Sequence, residues 1–165
     1  FMMTTHPFDT LAAGRGHIFF TPCPGTQQVP ADAALATLRS AGAGTLVTLM
    51  NDAELADNSV ADMGLRVAAA GMAWVQLPIA DDAAPGADFD AAWAAHAATL
   101  RARLAAGEGV AVHCKGGSGR TGLVIARLLM AQGMAHDEAV AQVQALRPKA
   151  LRHPAHVAWL AQFRP

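Results

Sequence analysis

The chain has 165 residues, 53% of them hydrophobic, a net charge of −1 and a pI near 6.7. That length suits one domain with a sizeable core, and the balanced charge excludes a broad basic field for nucleic acid or an anionic membrane. Two cysteines, Cys23 and Cys114, are too few for a disulfide framework or a zinc site.

In chain order, Phe1-Met2-Met3 reads as a cloning remnant, and residues 1–15 as an N-terminal extension without the basic start and apolar core of a secretory signal. The remainder, 16–165, reads as a single domain. Gly16 to Thr21 carries His17-Ile18-Phe19-Phe20, a strand ended by the turn Pro22-Cys23-Pro24-Gly25. A helix is expected over 31–40, with Ala34, Leu35 and Leu38 on one face, then a buried strand over 45–49. Short helices over 52–56 and 60–70 flank Asp57-Asn58-Ser59, a turn and cap. Ala73 to Leu77 reads as a third strand and 78–86 as a loop. From Asp88 to Ala106, Phe89, Trp93, Ala97, Leu100 and Leu104 recur at helical spacing. Further helices are expected over 121–132, 136–146 and 154–163. Strands alternating with helices predict an α/β domain with a central, mostly parallel sheet flanked by helices. No apolar run approaches the roughly 20 residues that cross a bilayer, since Arg127 interrupts the longest candidate, so no membrane insertion is expected.

The stretch with most chemical content is Val110 to Leu129, where a short apolar run meets a glycine-rich loop and then a helical segment. Gly116, Gly117 and Gly119 let the backbone curl so that successive N–H groups face one small anion, beside the positive end of the following helix. Cys114 places a sulfur beneath that anion, and Arg120 a planar two-pronged donor beside it. Inward amides, a helix N-terminus and Arg120 all favour the thiolate, and Thr121 can donate to the sulfur. The same loop can therefore hold a phosphoryl group and attack it.

The string His113-Cys114-Lys115-Gly116-Gly117-Ser118-Gly119-Arg120-Thr121-Gly122 resembles the signature loop of cysteine-dependent protein tyrosine and dual-specificity phosphatases. The nucleotide-binding P-loop string, Gly, four residues, then Gly-Lys-Ser/Thr, does not occur. The resemblance implies a compact dual-specificity-phosphatase-like domain with Cys114 as nucleophile and Arg120 as phosphate ligand. Lys115, Gly116, Gly117, Ser118 and Gly119 would complete the phosphate cradle, with His113 and Thr121 in support. It implies no cofactor and no metal. His153 and His156 have no partners at metal-ligand spacing, and His96 reads as structural.

Thiolate attack on a phosphate ester also needs an acid for the leaving oxygen. Leu77-Pro78-Ile79-Ala80-Asp81-Asp82-Ala83-Ala84-Pro85-Gly86 follows a strand and resembles the acid loop of the kinase-associated phosphatase group. That likeness selects Asp81, with Asp82 as the competitor. Many relatives place a Gln on the last helix to orient the hydrolytic water, and the comparable position here is His156. The expected substrate is a phosphorylated protein or peptide, with inorganic phosphate or sulfate fitting the loop and no nucleic-acid partner. Alternatives are a phosphoinositide or inositol phosphate, for which Lys115 resembles a basic position in lipid-directed relatives, and an inactive phosphate-binding module. Cys23 reads as a turn residue or a protective disulfide partner of Cys114. A reducing, cytoplasmic setting suits a catalytic thiol.

Overall fold

A computed structural model describes residues 5–165, so the reading of Phe1-Met2-Met3 lies outside the described residues. Strands and helices alternate through the middle of the chain, between a leading hairpin and a closing run of three helices. Strands β1 (Asp9–Ala13) and β2 (Gly16–Thr21) form a hairpin, followed by helix α1 (Ala31–Ser40), β3 (Ala43–Thr48), α2 (Asp52–Asp57) and α3 (Met63–Ala69). Then come β4 (Ala73–Gln76), α4 (Ala87–Ala105), β5 (Gly109–His113), α5 (Gly119–Ala131), α6 (His136–Leu146) and α7 (Pro154–Ala161).

The sheet order is β1-β2-β5-β3-β4, parallel throughout except for the antiparallel β1 edge. Residues 9–13, expected as part of an extension, instead pair with β2 in register from Asp9 with Phe20 to Ala13 with Gly16. Their sequence, Asp-Thr-Leu-Ala-Ala, has no strong strand former apart from Thr10 and gains its conformation from its neighbour. The helix and strand ranges read from the sequence otherwise agree with the observed ones to within a few residues.

Helices cover both faces, as a parallel sheet requires. One core cluster gathers Leu35, Leu38, Leu46, Met50, Leu55, Met63 and Val67, joining α1, α2 and α3 to one face. The other gathers Ile18, Phe20, Val47, Phe89, Leu100, Val110, Val112, Leu123, Leu128 and Leu160, joining α4, α5 and α7 to the opposite face. Central β5 is buried at all five residues, which explains its unbroken apolar reading. At the interface of α5 and α6 a Cβ on Gly122 would stand 2.7 Å from that of Ala150, so only glycine lets the 147–151 turn close on the first turn of α5.

Beyond their carboxyl ends the parallel strands stay linked. Leu49 N–H donates to His113 O at 3.0 Å, Leu77 N–H to Thr48 O at 2.9 Å and Ile79 N–H to Leu49 O at 2.9 Å. This extension of the ladder carries the chain from β4 directly into the 80–86 loop. It also sets that loop beside the loop that leaves β5, at the sheet edge where open α/β sheets place ligands.

Candidate active site

The β5–α5 connection wraps around one sulfur. Cys114 is 4% exposed, and its Sγ accepts from the Gly117 N–H at 3.3 Å and from the Thr121 hydroxyl at 3.2 Å. Gly117 has φ +79°, and a Cβ there would lie 2.7 Å from Pro22 N and Thr21 C. Any other residue would push the loop off β2. The Cys23 N–H adds a clamp on Lys115 O at 3.0 Å. Ser118 holds the N-cap position of α5 without a side-chain cap bond, and the helix N-terminus opens toward the same space.

Above the sulfur lies a cavity of about 380 Å³. It is lined by the cysteine loop from Cys114 to Arg120, by Asp81, and by Thr26 and Gln27 from the β2–α1 connection. Lys115 is exposed at the rim.

Arg120, 4% exposed, is held by a bidentate pair with Glu54: Nη1 donates to Oε1 at 2.7 Å and Nη2 to Oε2 at 2.8 Å. Nη1 also donates to Ile79 O at 3.0 Å. This fork geometry fixes the guanidinium plane and leaves Nε–H and a second Nη2 proton for the oxygens of an anion. Burial alone would weaken the hold on the Arg120 proton, but the Glu54 bonds and the neighbouring charges outweigh it and raise the pKa. Glu54 was not singled out from the sequence. Its signal was available in retrospect: it lies on the first helix after the carboxyl end of β3, the strand beside β5.

Behind Cys114, His113 is fully buried and bonded into a chain that reaches β3 and β4. Trp74 Nε1–H donates to Thr48 Oγ1 at 2.7 Å, the Thr48 hydroxyl donates to His113 Nε2 at 2.7 Å, and His113 Nδ1–H donates to Cys114 O at 2.9 Å. Every polar atom of that chain is satisfied only with a neutral ring in the Nδ1–H tautomer. Burial accordingly lowers the His113 pKa to about 4, with the bond to Cys114 O opposing and the charges of His6 and Arg120 assisting.

Of the two acid-loop carboxylates, Asp81 lines the cavity, with Oδ1 3.7 Å from Arg120 Nη2. Asp82 does not line it. Its backbone turns through φ +59° and its N–H donates to Asp81 Oδ1 at 3.1 Å, orienting the neighbouring carboxylate. His156 also departs from its expected place. It is 4% exposed, its Nε2–H donates to Ala83 O at 2.8 Å, and it is not part of the cavity wall. The ring was expected where relatives orient water; the packing of α7 under the acid loop commits it to that loop's backbone. Burial lowers its pKa, partly offset by the Ala83 bond.

Arg147 braces the loop from the other side, donating from Nε to Gly117 O at 3.0 Å and from Nη1 to Asp9 Oδ2 at 2.6 Å. Both cysteines are free thiols. Cys23 is buried with its thiol directed to Pro24 O at 3.6 Å, and burial, with the Glu54 and Cys114 charges, pushes its pKa up to about 12. Among the described residues no three His, Cys, Asp or Glu side chains converge as metal ligands, and no helix is long and apolar enough to cross a membrane.

A family model described as "Polymorphic toxin system, DSP-PTPase phosphatase" matches residues 23–134, which span Cys23, the acid loop and the cysteine loop. The chain belongs to this phosphatase family. The fold of the phosphatase is similar to that of kinase-associated phosphatase bearing a serine in place of its catalytic-site cysteine, with TM-score 0.87, 20% identity, and coverage of 98% of this chain and 96% of that one. It is also similar to Tk-PTP in its active form, at TM-score 0.66, 25% identity and coverage of 88% and 90%. Human DUSP28 gives TM-score 0.66 at 21% identity, covering 98% and 95%. No curated protein sequence matches the chain.

Proposed function

We propose that this phosphatase hydrolyses phosphate monoesters on protein side chains, phosphotyrosine, phosphoserine or phosphothreonine, through a phosphocysteine intermediate. One observation carries the reading: Cys114 Sγ, with two donors on it, lies at the base of a cavity whose walls hold both the Arg120 guanidinium and the Asp81 carboxyl.

In the first step Cys114 attacks phosphorus as the thiolate, opposite the ester oxygen. The S–P bond forms as the P–O bond breaks, and protonated Asp81 gives its proton to the leaving alcohol or phenol. The negative charge on the equatorial oxygens meets the loop N–H groups, the α5 N-terminus and Arg120, all in place before substrate arrives. Glu54 and Ile79 O supply that preorganisation for Arg120. In the second step Asp81, now ionised, accepts a proton from water, which displaces the thiolate and releases inorganic phosphate. No step calls on a metal.

The family's description as part of a polymorphic toxin system is consistent with an effector that acts by stripping phosphate from proteins in a reducing compartment, where Cys114 stays a thiol. An inositol phosphate remains the second substrate class, favoured by the exposed Lys115 at the cavity rim. Hydrolysis of 4-nitrophenyl phosphate in the presence of chelator tests the chemistry. Cys114→Ser should abolish turnover, and Asp81→Ala should lower kcat by about 10²–10³, the range of a lost general acid. Full activity in Cys114→Ser would overturn the mechanism. Phosphopeptides assayed against inositol phosphates separate the two substrate classes.

A further inference from the structure

Release of phosphate from a phosphocysteine needs an oriented water as well as a base. The water must approach phosphorus from the side opposite sulfur, at the mouth of the cavity, with a lone pair toward phosphorus and both O–H bonds directed at acceptors. Resting on the two-step reading above, Asp81 accepts one of those protons. The second O–H bond needs another acceptor on the cavity wall.

Few groups there qualify. Lys115 and Arg120 only donate, and the loop backbone presents N–H groups. Ser118 is part of the cysteine loop itself, at the N-cap of α5. Thr26 is committed, because its hydroxyl donates to Cys23 O at 2.7 Å and accepts from Gln27 Nε2 at 3.4 Å. His156, on the last helix, has Nε2 bonded to Ala83 O and a buried Nδ1 with no partner among the described residues, but it lies outside the wall. That leaves the Gln27 side chain, half-buried on the cavity wall, with Nε2 turned to Thr26 and Oε1 available as acceptor.

The segment that carries Gln27 is fastened to the nucleophile loop. Thr26 N–H donates to Cys23 O at 3.2 Å, and Cys23 N–H donates to Lys115 O at 3.0 Å. The amide is thus held in register with the phosphate cradle by two backbone bonds and the Thr26 hydroxyl.

We propose that Gln27, on the connection between β2 and α1, positions the hydrolytic water through Oε1. In the step it serves, a water O–P bond forms while the P–S bond breaks. One water proton passes to the Asp81 carboxylate, the other remains bonded toward Gln27 Oε1, and the P–S electron pair returns to Cys114 as thiolate. Inorganic phosphate leaves. Gln27 is a positioning residue for this second step alone; formation of the phosphocysteine does not call on it.

The test follows phosphoenzyme formation and decay separately, by rapid acid quench and intact-protein mass spectrometry with 4-nitrophenyl phosphate as substrate. In Gln27→Ala, decay should slow by about 10-fold or more while formation stays within about twofold of wild type. A burst of nitrophenol then precedes a slow steady state, with kcat reduced and kcat/KM preserved. Gln27→Glu keeps an acceptor at the same reach and should restore decay to within about threefold of wild type. Unchanged decay in Gln27→Ala, formation and decay falling together, or Gln27→Glu as slow as Gln27→Ala would each overturn the assignment. A wild-type enzyme that forms no phosphocysteine would instead remove the nucleophile reading on which this proposal stands.

Discussion

Acidification should loosen the nucleophile loop through His113. The ring is held neutral by burial, with its pKa at about 4 against an ordinary 6.5. Between those values the unfolded chain binds more protons than the folded one, so stability is complete above pH 6.5 and is lost as pH falls toward 4. Going from pH 7 to pH 5 this linkage amounts to about 2 kcal/mol, a large fraction of a small domain's stability. His6 and His156 are also buried with lowered pKa values and add losses of the same sign. Subtraction isolates His113. Urea unfolding of wild type and His113→Asn at both pH values should show the wild type losing about 2 kcal/mol more, since the Asn amide can still donate to Cys114 O but does not titrate. If the Asn variant does not fold, the ring carbon shifts of His113 followed by NMR answer the same question. A His113 ring that titrates at or above 6.5, or equal acid losses in the two proteins, would refute the neutral-ring network of Trp74, Thr48 and His113.

Glu54→Ala should leave the Arg120 guanidinium without its counter-charge and cost about 3 kcal/mol in thermal or urea unfolding, as for other broken buried pairs. Affinity for vanadate or phosphate, read by inhibition of aryl phosphate hydrolysis, should fall with it, and Glu54→Gln should recover part of both. Asp82→Ala should retain kcat to within about threefold where Asp81→Ala loses at least about 100-fold, because of the two only Asp81 lines the cavity. Similar losses in the two variants would refute the assignment of the acid. Gly117→Ala combines a positive φ with a Cβ 2.7 Å from the Thr21–Pro22 backbone; a destabilisation of at least 1–3 kcal/mol and a collapse of kcat are expected. His156→Ala frees Ala83 O and should affect hydrolysis of alkyl phosphates more than of aryl phosphates, since only the poorer leaving group depends strongly on a well-placed acid loop.

What could be read from sequence was the chemistry that is local in the chain. Cys114, the glycines, Arg120 and Thr121 fall within eight consecutive residues, and one backbone curl decides where all of them point. The helices and buried strands were legible for the same reason, because their apolar period is written in neighbouring residues. Strand β1 was missed because Asp9 to Ala13 has a weak strand pattern and acquires its structure from pairing. Asp81 was selected through a loop resemblance; that it lines the cavity while Asp82 turns away through a left-handed backbone is a difference that the two identical side chains conceal.

The partners that hold the chemistry in place come from far away in sequence, which is why spacing could not reveal them. Glu54 meets Arg120 across 66 positions, Thr48 meets His113 across 65, and Arg147 reaches Gly117 across 30. These contacts share a direction: each fixes a part of the loop from outside the cavity and leaves the inward groups free. The Glu54 fork uses the side of Arg120 that does not need to face phosphate, and His113 spends its donor on the Cys114 carbonyl rather than on the sulfur. A loop of glycines would otherwise sample many conformations, and its N–H groups would have to be ordered by each substrate at a cost of about 1–2 kcal/mol per residue. Here the fold has already met that cost, by drawing on the ends of β3, β4 and β5 and on two helices. On the proposed mechanism the parallel sheet contributes to catalysis through that rigidity, and the signature string would perform its chemistry only when residues that the string does not contain hold it still.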